Sequence, residues 1–294
     1  MKVYDIRPIS DPSWSKGLAA PFCGVVQGLM TVAGGFGQNQ YCNGIWVKLP
    51  GLLHSWKRAG SLPEPAAFGA SFQMEDALVV AGGSDGSRTL DKVYEVRIKM
   101  GKAVIRTLPQ LPVPLEKAGF TREGDEMYLV GGYSDGKPQR GIWKAVYPEC
   151  RWERIAEMPS PLLHPLAFAA EGSLYVWGTP IGAATGDKVR GESLSLDSGK
   201  WSAAPSVPVE SVEGATGVTL PSCKLIAVGG MGRQVLSFNP SRERWIVKGT
   251  SQAVDVKYPG VGVFDTKSAV VKLYVAGGEI KPGEEDPRHS IFEF

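Results

Sequence analysis

Short apolar runs recur along the chain at a regular spacing, and most of them end in a pair of glycines. They read Thr31-Val32-Ala33-Gly34-Gly35, Val79-Val80-Ala81-Gly82-Gly83, Tyr128-Leu129-Val130-Gly131-Gly132, Ile226-Ala227-Val228-Gly229-Gly230 and Tyr274-Val275-Ala276-Gly277-Gly278. A sixth run, Leu174-Tyr175-Val176-Trp177-Gly178, keeps a single glycine. Apolar runs this short, bounded by glycine and polar residues, predict buried strands rather than helices.

Further strand candidates repeat with the same spacing. One precedes each run, as in Ala66-Ala67-Phe68-Gly69-Ala70 and Leu166-Ala167-Phe168-Ala169-Ala170. A polar loop follows each glycine pair, and then a third strand candidate, such as Gly44-Ile45-Trp46-Val47, Gly141-Ile142-Trp143-Lys144 or Ile291-Phe292-Glu293-Phe294. A fourth often carries a tryptophan, namely Trp56, Trp152, Trp201 or Trp245. The period of roughly 50 residues is that of kelch repeats. The expected fold is therefore all-β, a six-bladed kelch-type β-propeller forming one domain over residues 1–294. The glycine pairs are expected where inner strands converge on the axis and leave little room for side chains. The tryptophans are expected to fill the space between blades. The last repeat stops after its third strand, so a strand at about residues 2–7 is expected to pair beside Ile291–Phe294 and close the ring.

Composition narrows the function classes. The 294 residues include 37 glycines and 22 prolines, which favour turns over long helices. A net charge of +2, without a lysine- or arginine-rich run, argues against nucleic acid as a partner. No apolar stretch reaches membrane-spanning length, so no membrane partner is expected. Cys23, Cys42, Cys150 and Cys223 are few and scattered, and free thiols in a reducing compartment are expected. The opening residues lack an apolar run of signal length, which predicts a cytoplasmic protein, or a periplasmic one if a signal has been removed. His54, His164 and His289 lack metal-ligand spacing, and neither a phosphate-binding helix start nor a Gly-x-Ser-x-Gly elbow is present. No metal or other cofactor is expected.

The segment Gly277-Gly278-Glu279-Ile280-Lys281-Pro282-Gly283, followed by Arg288, carries a more specific resemblance. Together with Leu236-Ser237-Phe238-Asn239-Pro240-Ser241 and Trp245, it resembles the sialic acid mutarotases, or N-acetylneuraminate epimerases, which are kelch-type propellers. The order of segments resembles a cyclically permuted branch, because Leu108-Pro109-Gln110-Leu111-Pro112-Val113-Pro114 lies over a third of the way along instead of at the start. The resemblance implies that Glu279 and Arg288 form the functional pair. It departs from the family at Glu284-Glu285-Asp286-Pro287, which separates the glycine from the arginine.

Mutarotation opens a sugar ring at the anomeric carbon and closes it on the other face. One group removes the anomeric hydroxyl proton while another protonates the ring oxygen. The expected roles are acid/base for Glu279 and carboxylate clamp for Arg288, whose planar fork suits an acidic sugar. Arg88, Arg140, Arg190 and Arg233 follow the glycine motifs in their own repeats. They can draw an anion into the funnel or merely tie down loops, and Arg88 and Arg140 are the candidate substrate-binding pair. Tyr133 and Phe36 follow glycine pairs as Glu279 does, and either wall the pocket or pack between blades. The expected partner is a small sialic acid-like sugar acid. The competing readings are a non-catalytic protein-interaction module and a sugar-binding module without turnover.

Overall fold

The computed structural model describes residues 2–6, 17–49, 55–182, 189–220, 222, 224–264, 272–281, 284–285 and 289–293. The protein is an all-β propeller. Apart from strands, the described residues hold only two short 3-10 turns, Pro240–Arg242 and Gln252–Val254. Six four-stranded antiparallel sheets account for most of the chain, with three two-stranded hairpins beside them. The innermost strands of sheets 1 to 6 are Phe22–Val26, Ala70–Gln73, Gly119–Glu123, Leu162–Ala170, Thr216–Thr219 and Gly260–Phe264. Sheets 1 to 5 are meanders in chain order, with a short hairpin inserted between the second and third strands of sheets 1 and 3. Sheet 6 takes its outermost strand, Lys2–Ile6, from the other end of the chain, where Lys2 pairs with Glu293 and Ile6 with His289. Arg7 and Phe294, also expected in that pairing, lie outside the described residues.

Alternation along each strand explains why the runs read as continuously apolar. In the first inner strand Phe22 and Val26 pack toward sheet 2, whereas Cys23 and Val25 pack toward sheet 6. Both faces of each sheet are covered, so neighbouring positions are all apolar instead of alternating with polar ones. Six buried clusters result, and each sheet contributes to two of them. One joins Met30 and Val32 of sheet 1 to Phe264 and Tyr274 of sheet 6. Full burial of one such side chain is worth about 1.5–3 kcal/mol.

Two expectations are corrected by this arrangement. The glycine pairs do not lie on the innermost strands; they end the second strands, such as Leu29–Ala33 and Leu78–Ala81. Both glycines of a pair take positive φ, 64° and 102° at Gly82 and Gly83, and a Cβ on Gly82 would overlap the Leu115 carbonyl oxygen. Their role is to turn the chain tightly against the loop entering the next sheet. Close approach near the axis falls instead to inner-strand glycines: a Cβ on Gly262 would stand 3.1 Å from the Gly24 backbone. In sheet 4, where Trp177 replaces the first glycine, the strand runs on through Ser173–Pro180. The second correction concerns Ala66–Ala70. The strand starts only at Ala70, because Phe68 adopts φ 62° and turns the chain before it.

The tryptophans lie at the outer strands as the repeat requires. Trp201 and Trp245 are within theirs, and Trp56 and Trp152 stand one residue before. Trp245 meets Trp177 edge to face at 4.8 Å between ring centroids.

Candidate functional site

Each inner strand has one residue in the left-handed region at its start, two residues ahead of the strand in five sheets and third within Leu162–Ala170 in sheet 4. These are Ala20 (φ 49°), Phe68 (62°), Lys117 (53°), His164 (38°), Gly214 (75°) and Tyr258 (54°), one per sheet. The backbone links five of them into a belt, and His164 joins it through its side chain's hydrogen bond to Tyr258. Tyr258 N donates to Gly214 O at 2.7 Å, Ala20 N to Tyr258 O at 2.9 Å, Phe68 N to Ala20 O at 3.2 Å and Lys117 N to Phe68 O at 2.7 Å. Bulky residues rarely hold positive φ, and they do so here because neighbouring sheets grip the backbone from both sides. Three of the six precede proline, at Pro21, Pro165 and Pro259, which fixes the chain direction into the strand.

The belt side chains meet one another although they come from different sheets. The Phe68 and Tyr258 rings are 5.3 Å apart, and so are those of Tyr258 and His164. Lys117 Nζ lies 5.0 Å over the Phe68 ring. Side chains of sheets 2, 3, 4 and 6 can touch in this way only near the axis. All six belt residues line an axial cavity of about 740 Å³ that continues between the inner strands. That volume lies within the range of small-molecule sites, about 300–1,000 Å³.

Outside the belt, three short hairpins follow glycine pairs. Phe36, Tyr133 and Glu279 each open one of them. Each also bridges the residue just before a belt position: Phe36 with Ala19, Tyr133 with Glu116 and Glu279 with Lys257. The sequence equivalence of these three residues is therefore a structural one. Phe36 packs on Tyr41 at 5.1 Å, and Tyr41 is 6.4 Å from Phe68. Tyr133 meets the edge of His164 at 5.8 Å. Glu279 exchanges two backbone hydrogen bonds with Lys257, at 2.7 and 2.8 Å, which sets it beside Tyr258. Glu285 pairs back on Glu279, so the acidic insertion begins as the second strand of this hairpin.

The mouth carries charges of both signs. Lys257 Nζ is 3.1 Å from Glu213, and Glu213 stands 3.7 Å from His164 Nδ1. Tyr258 Oη and His164 Nδ1 are 2.5 Å apart, a short hydrogen bond between groups 94 residues distant in sequence. Burial pushes the His164 imidazole down to about 4; Lys117 and Lys257 push the same way, and Glu213 opposes them. Burial also raises the Tyr258 phenol, and the charges of Glu213 and Glu279 add to the effect. Both groups are therefore neutral at pH 7. Glu116 is raised by burial, against the pull of Lys117.

The other sequence candidates fall elsewhere. Arg88 is exposed and paired with Glu64 at 3.3 Å and Asp85 at 3.4 Å, tying down the loop of its own sheet. Arg140 donates from Nε to Met158 O at 2.8 Å. Arg233 pairs with Asp255 at 3.2 Å. None of the three lines the axial cavity; Phe36, Tyr133 and Glu279 do not line it either, but stand beside residues that do. Arg288 lies outside the described residues. His164, Tyr258, Lys117 and Phe68 are not marked as site residues by the sequence; the signal for them is position at the start of an inner strand, two residues ahead of it for Phe68, Lys117 and Tyr258 and third within it for His164, and not residue type.

No family model matches the chain. The N-acetylneuraminate epimerase of Brucella suis is 33% identical over 100 residues, which cover 29% of this chain and 26% of that protein. The N-acetylneuraminate epimerase of Vibrio vulnificus is 33% identical over 113 residues, 32% of this chain and 29% of that protein. Spermatocyte protein spe-26 of Caenorhabditis elegans is 26% identical over 162 residues, 53% of this chain and 27% of that protein. The chain thus spans under a third of the length of each of these relatives. It is similar to the N-acetylneuraminate epimerases both in these segments and in the motif read from its sequence.

Proposed function

We propose that this protein is a cofactor-free sugar mutarotase that interconverts the α and β anomers of N-acetylneuraminate or a related sugar acid. We read its six sheets as six kelch-type blades of one closed, cyclically permuted ring over residues 1–294, with Lys2–Ile6 completing the last blade. The free thiols of Cys23, Cys42 and Cys150 favour a reducing compartment, and the cytoplasm is the proposed location.

One observation carries the reading. In a chain similar to proteins named N-acetylneuraminate epimerase, Glu279 is bridged to Lys257, the residue before Tyr258, and Tyr258 is hydrogen-bonded to His164 in the axial cavity. Glu279 takes the anomeric hydroxyl proton. The ring carbon–oxygen bond breaks as the carbonyl forms, and the ring oxygen gains a proton. Rotation about the bond next to the carbonyl and reversal of these transfers give the other anomer. Positioned acid–base groups accelerate such steps by about 10²–10⁴-fold, and the reaction needs neither a metal nor a nucleotide. Arg288 stays in the proposal as the carboxylate clamp, with Lys117 and Lys257 adding positive charge at the mouth.

The test is proton NMR of the approach to anomeric equilibrium after a sialidase releases α-N-acetylneuraminate in situ. Faster appearance of the β anomer with catalytic amounts of the protein supports the reading. An unchanged rate removes this sugar as substrate and favours the binding-module alternative.

A further inference from the structure

We infer that His164 and Tyr258 form a two-ended proton relay that serves the ring-opening step, an inference that rests on the mutarotase reading above. Three geometric facts carry it. The two groups share a 2.5 Å hydrogen bond across the axis. Both line the axial cavity, and the His164 side chain is only 13% exposed. Both are held at positive φ, 38° and 54°, on the belt. Strained backbone at bulky residues persists where the surroundings over-determine it, and such residues cluster at functional sites.

The protons balance as follows. Glu279 takes the anomeric proton and passes it to His164 Nε2. His164 Nδ1–H gives its proton to Tyr258 Oη, and Tyr258 O–H gives its own to the ring oxygen as the carbon–oxygen bond breaks. The couple ends neutral, with the imidazole in its other tautomer, and ring closure runs the circuit backward. Without this circuit, opening would leave a phenolate on Tyr258. The raised phenol of Tyr258 and the lowered imidazole of His164 resist both a phenolate and an imidazolium, and the circuit needs neither. The charged and titratable groups facing the couple are Lys117, Lys257, Glu213, Glu279 and Tyr133.

The experiment compares mutarotation by the native protein, Tyr258→Phe and His164→Asn, with circular dichroism and melting to check folding. Asn suits a left-handed position and keeps a polar atom near the place of Nδ1, but it has no second nitrogen to complete the circuit. Loss of about 100-fold or more in kcat is expected in both variants. The native rate should depend on deuterium fraction with the curvature of more than one proton in flight, and that curvature should vanish in the variants. Native-like rates in Tyr258→Phe, or recovery of the native rate in His164→Asn, would overturn the relay and leave the couple a positioning element. A native protein that does not speed mutarotation sinks the mutarotase reading and the relay together, an outcome distinct from an active native protein with active variants.

Discussion

Gln73 and Val263, 190 residues apart, exchange a pair of hydrogen bonds: Gln73 Nε2 donates to Val263 O at 2.7 Å, and Val263 N donates to Gln73 Oε1 at 3.0 Å. The same Oε1 accepts from Val25 N at 2.9 Å. One side chain of sheet 2 thus satisfies open inner-edge backbone groups of sheets 1 and 6. Other side chains do the same between adjacent sheets: Ser71 for Cys23 N, Thr121 for Ala169 N and Glu123 for Glu171 N, each 48 residues from its partner. Innermost strands have no further neighbour to pair with, and these contacts complete their hydrogen bonding. Replacing Gln73 by Ala strands two buried N–H groups. It should lower the unfolding free energy by about 1–3 kcal/mol for each, read by denaturant titration.

Glu279→Gln keeps the shape of the side chain and removes its basicity. A drop of about 10²-fold or more in the mutarotation rate is expected, with an unchanged melting temperature. A variant as active as the native protein would remove Glu279 from the acid/base role.

The His164 imidazole, held down to about 4, should stay neutral where an ordinary histidine titrates. Histidine ring NMR should show it unprotonated through pH 5. Because the folded value lies below the ordinary value of about 6.5, the stability that neutral His164 supports is complete above that value. It is lost as pH falls from there toward about 4. His164→Asn should flatten the decline in that window, and an equal decline in native protein and variant would contradict the assignment.

Glu95 shows the opposite sign. It is buried on the third strand of sheet 2, directly opposite Arg106, which binds it at 2.9 Å. Arg97 and Tyr147 add bonds at 3.2 and 2.6 Å. Burial pushes the carboxyl up, but the bonds from Arg106, Arg97 and Tyr147 together outweigh it and hold it at about 2. A depressed carboxyl stabilises the fold above its unfolded value of about 4.3 and loses that contribution as pH falls through the folded value. Native protein should exceed Glu95→Gln by on the order of 3 kcal/mol above pH ~5. The gap should close toward pH 2, as measured by urea unfolding across that range.

The hairpin between Val93–Lys99 and Lys102–Leu108 turns through Met100 and Gly101, at φ 50° and 74°. Positive φ at both central residues defines the turn that favours Asn-Gly, and Met100 is fully exposed. Met100→Asn should raise stability by about 0.5–1 kcal/mol. A decrease on chemical denaturation would mean that the methionine side chain contributes something beyond the turn.

The propeller was legible because its repeats obey strict local chemistry. Glycine pairs turn the chain where side chains would clash, and strands buried on both faces show as unbroken apolar runs. The same repeat placed Phe36, Tyr133 and Glu279 at equivalent positions, where the structure finds them. The belt was not legible. Its members share a backbone conformation imposed by neighbouring sheets, and no residue type marks that conformation. Phe68 looked like part of a strand for this reason. The arginines were hard to place for a related reason: Arg88 finds Glu64 in the preceding loop, a partner that spacing along the chain does not disclose. The Glu95 cluster was equally hidden, since it joins two strands of one sheet to Tyr147 of the next.

The belt also separates scaffold from chemistry. Positive φ at all six positions, and main-chain bonds at five of them, fix the belt, so what projects at the axis is left open: methyl, phenyl, ammonium, imidazole, hydrogen and phenol now occupy its six places. Exchanging one for another alters what the mouth recognises while the frame around it stays put. A propeller of this kind can be re-aimed at a new small molecule by rewriting six letters spread across the whole chain, none of them adjacent to another.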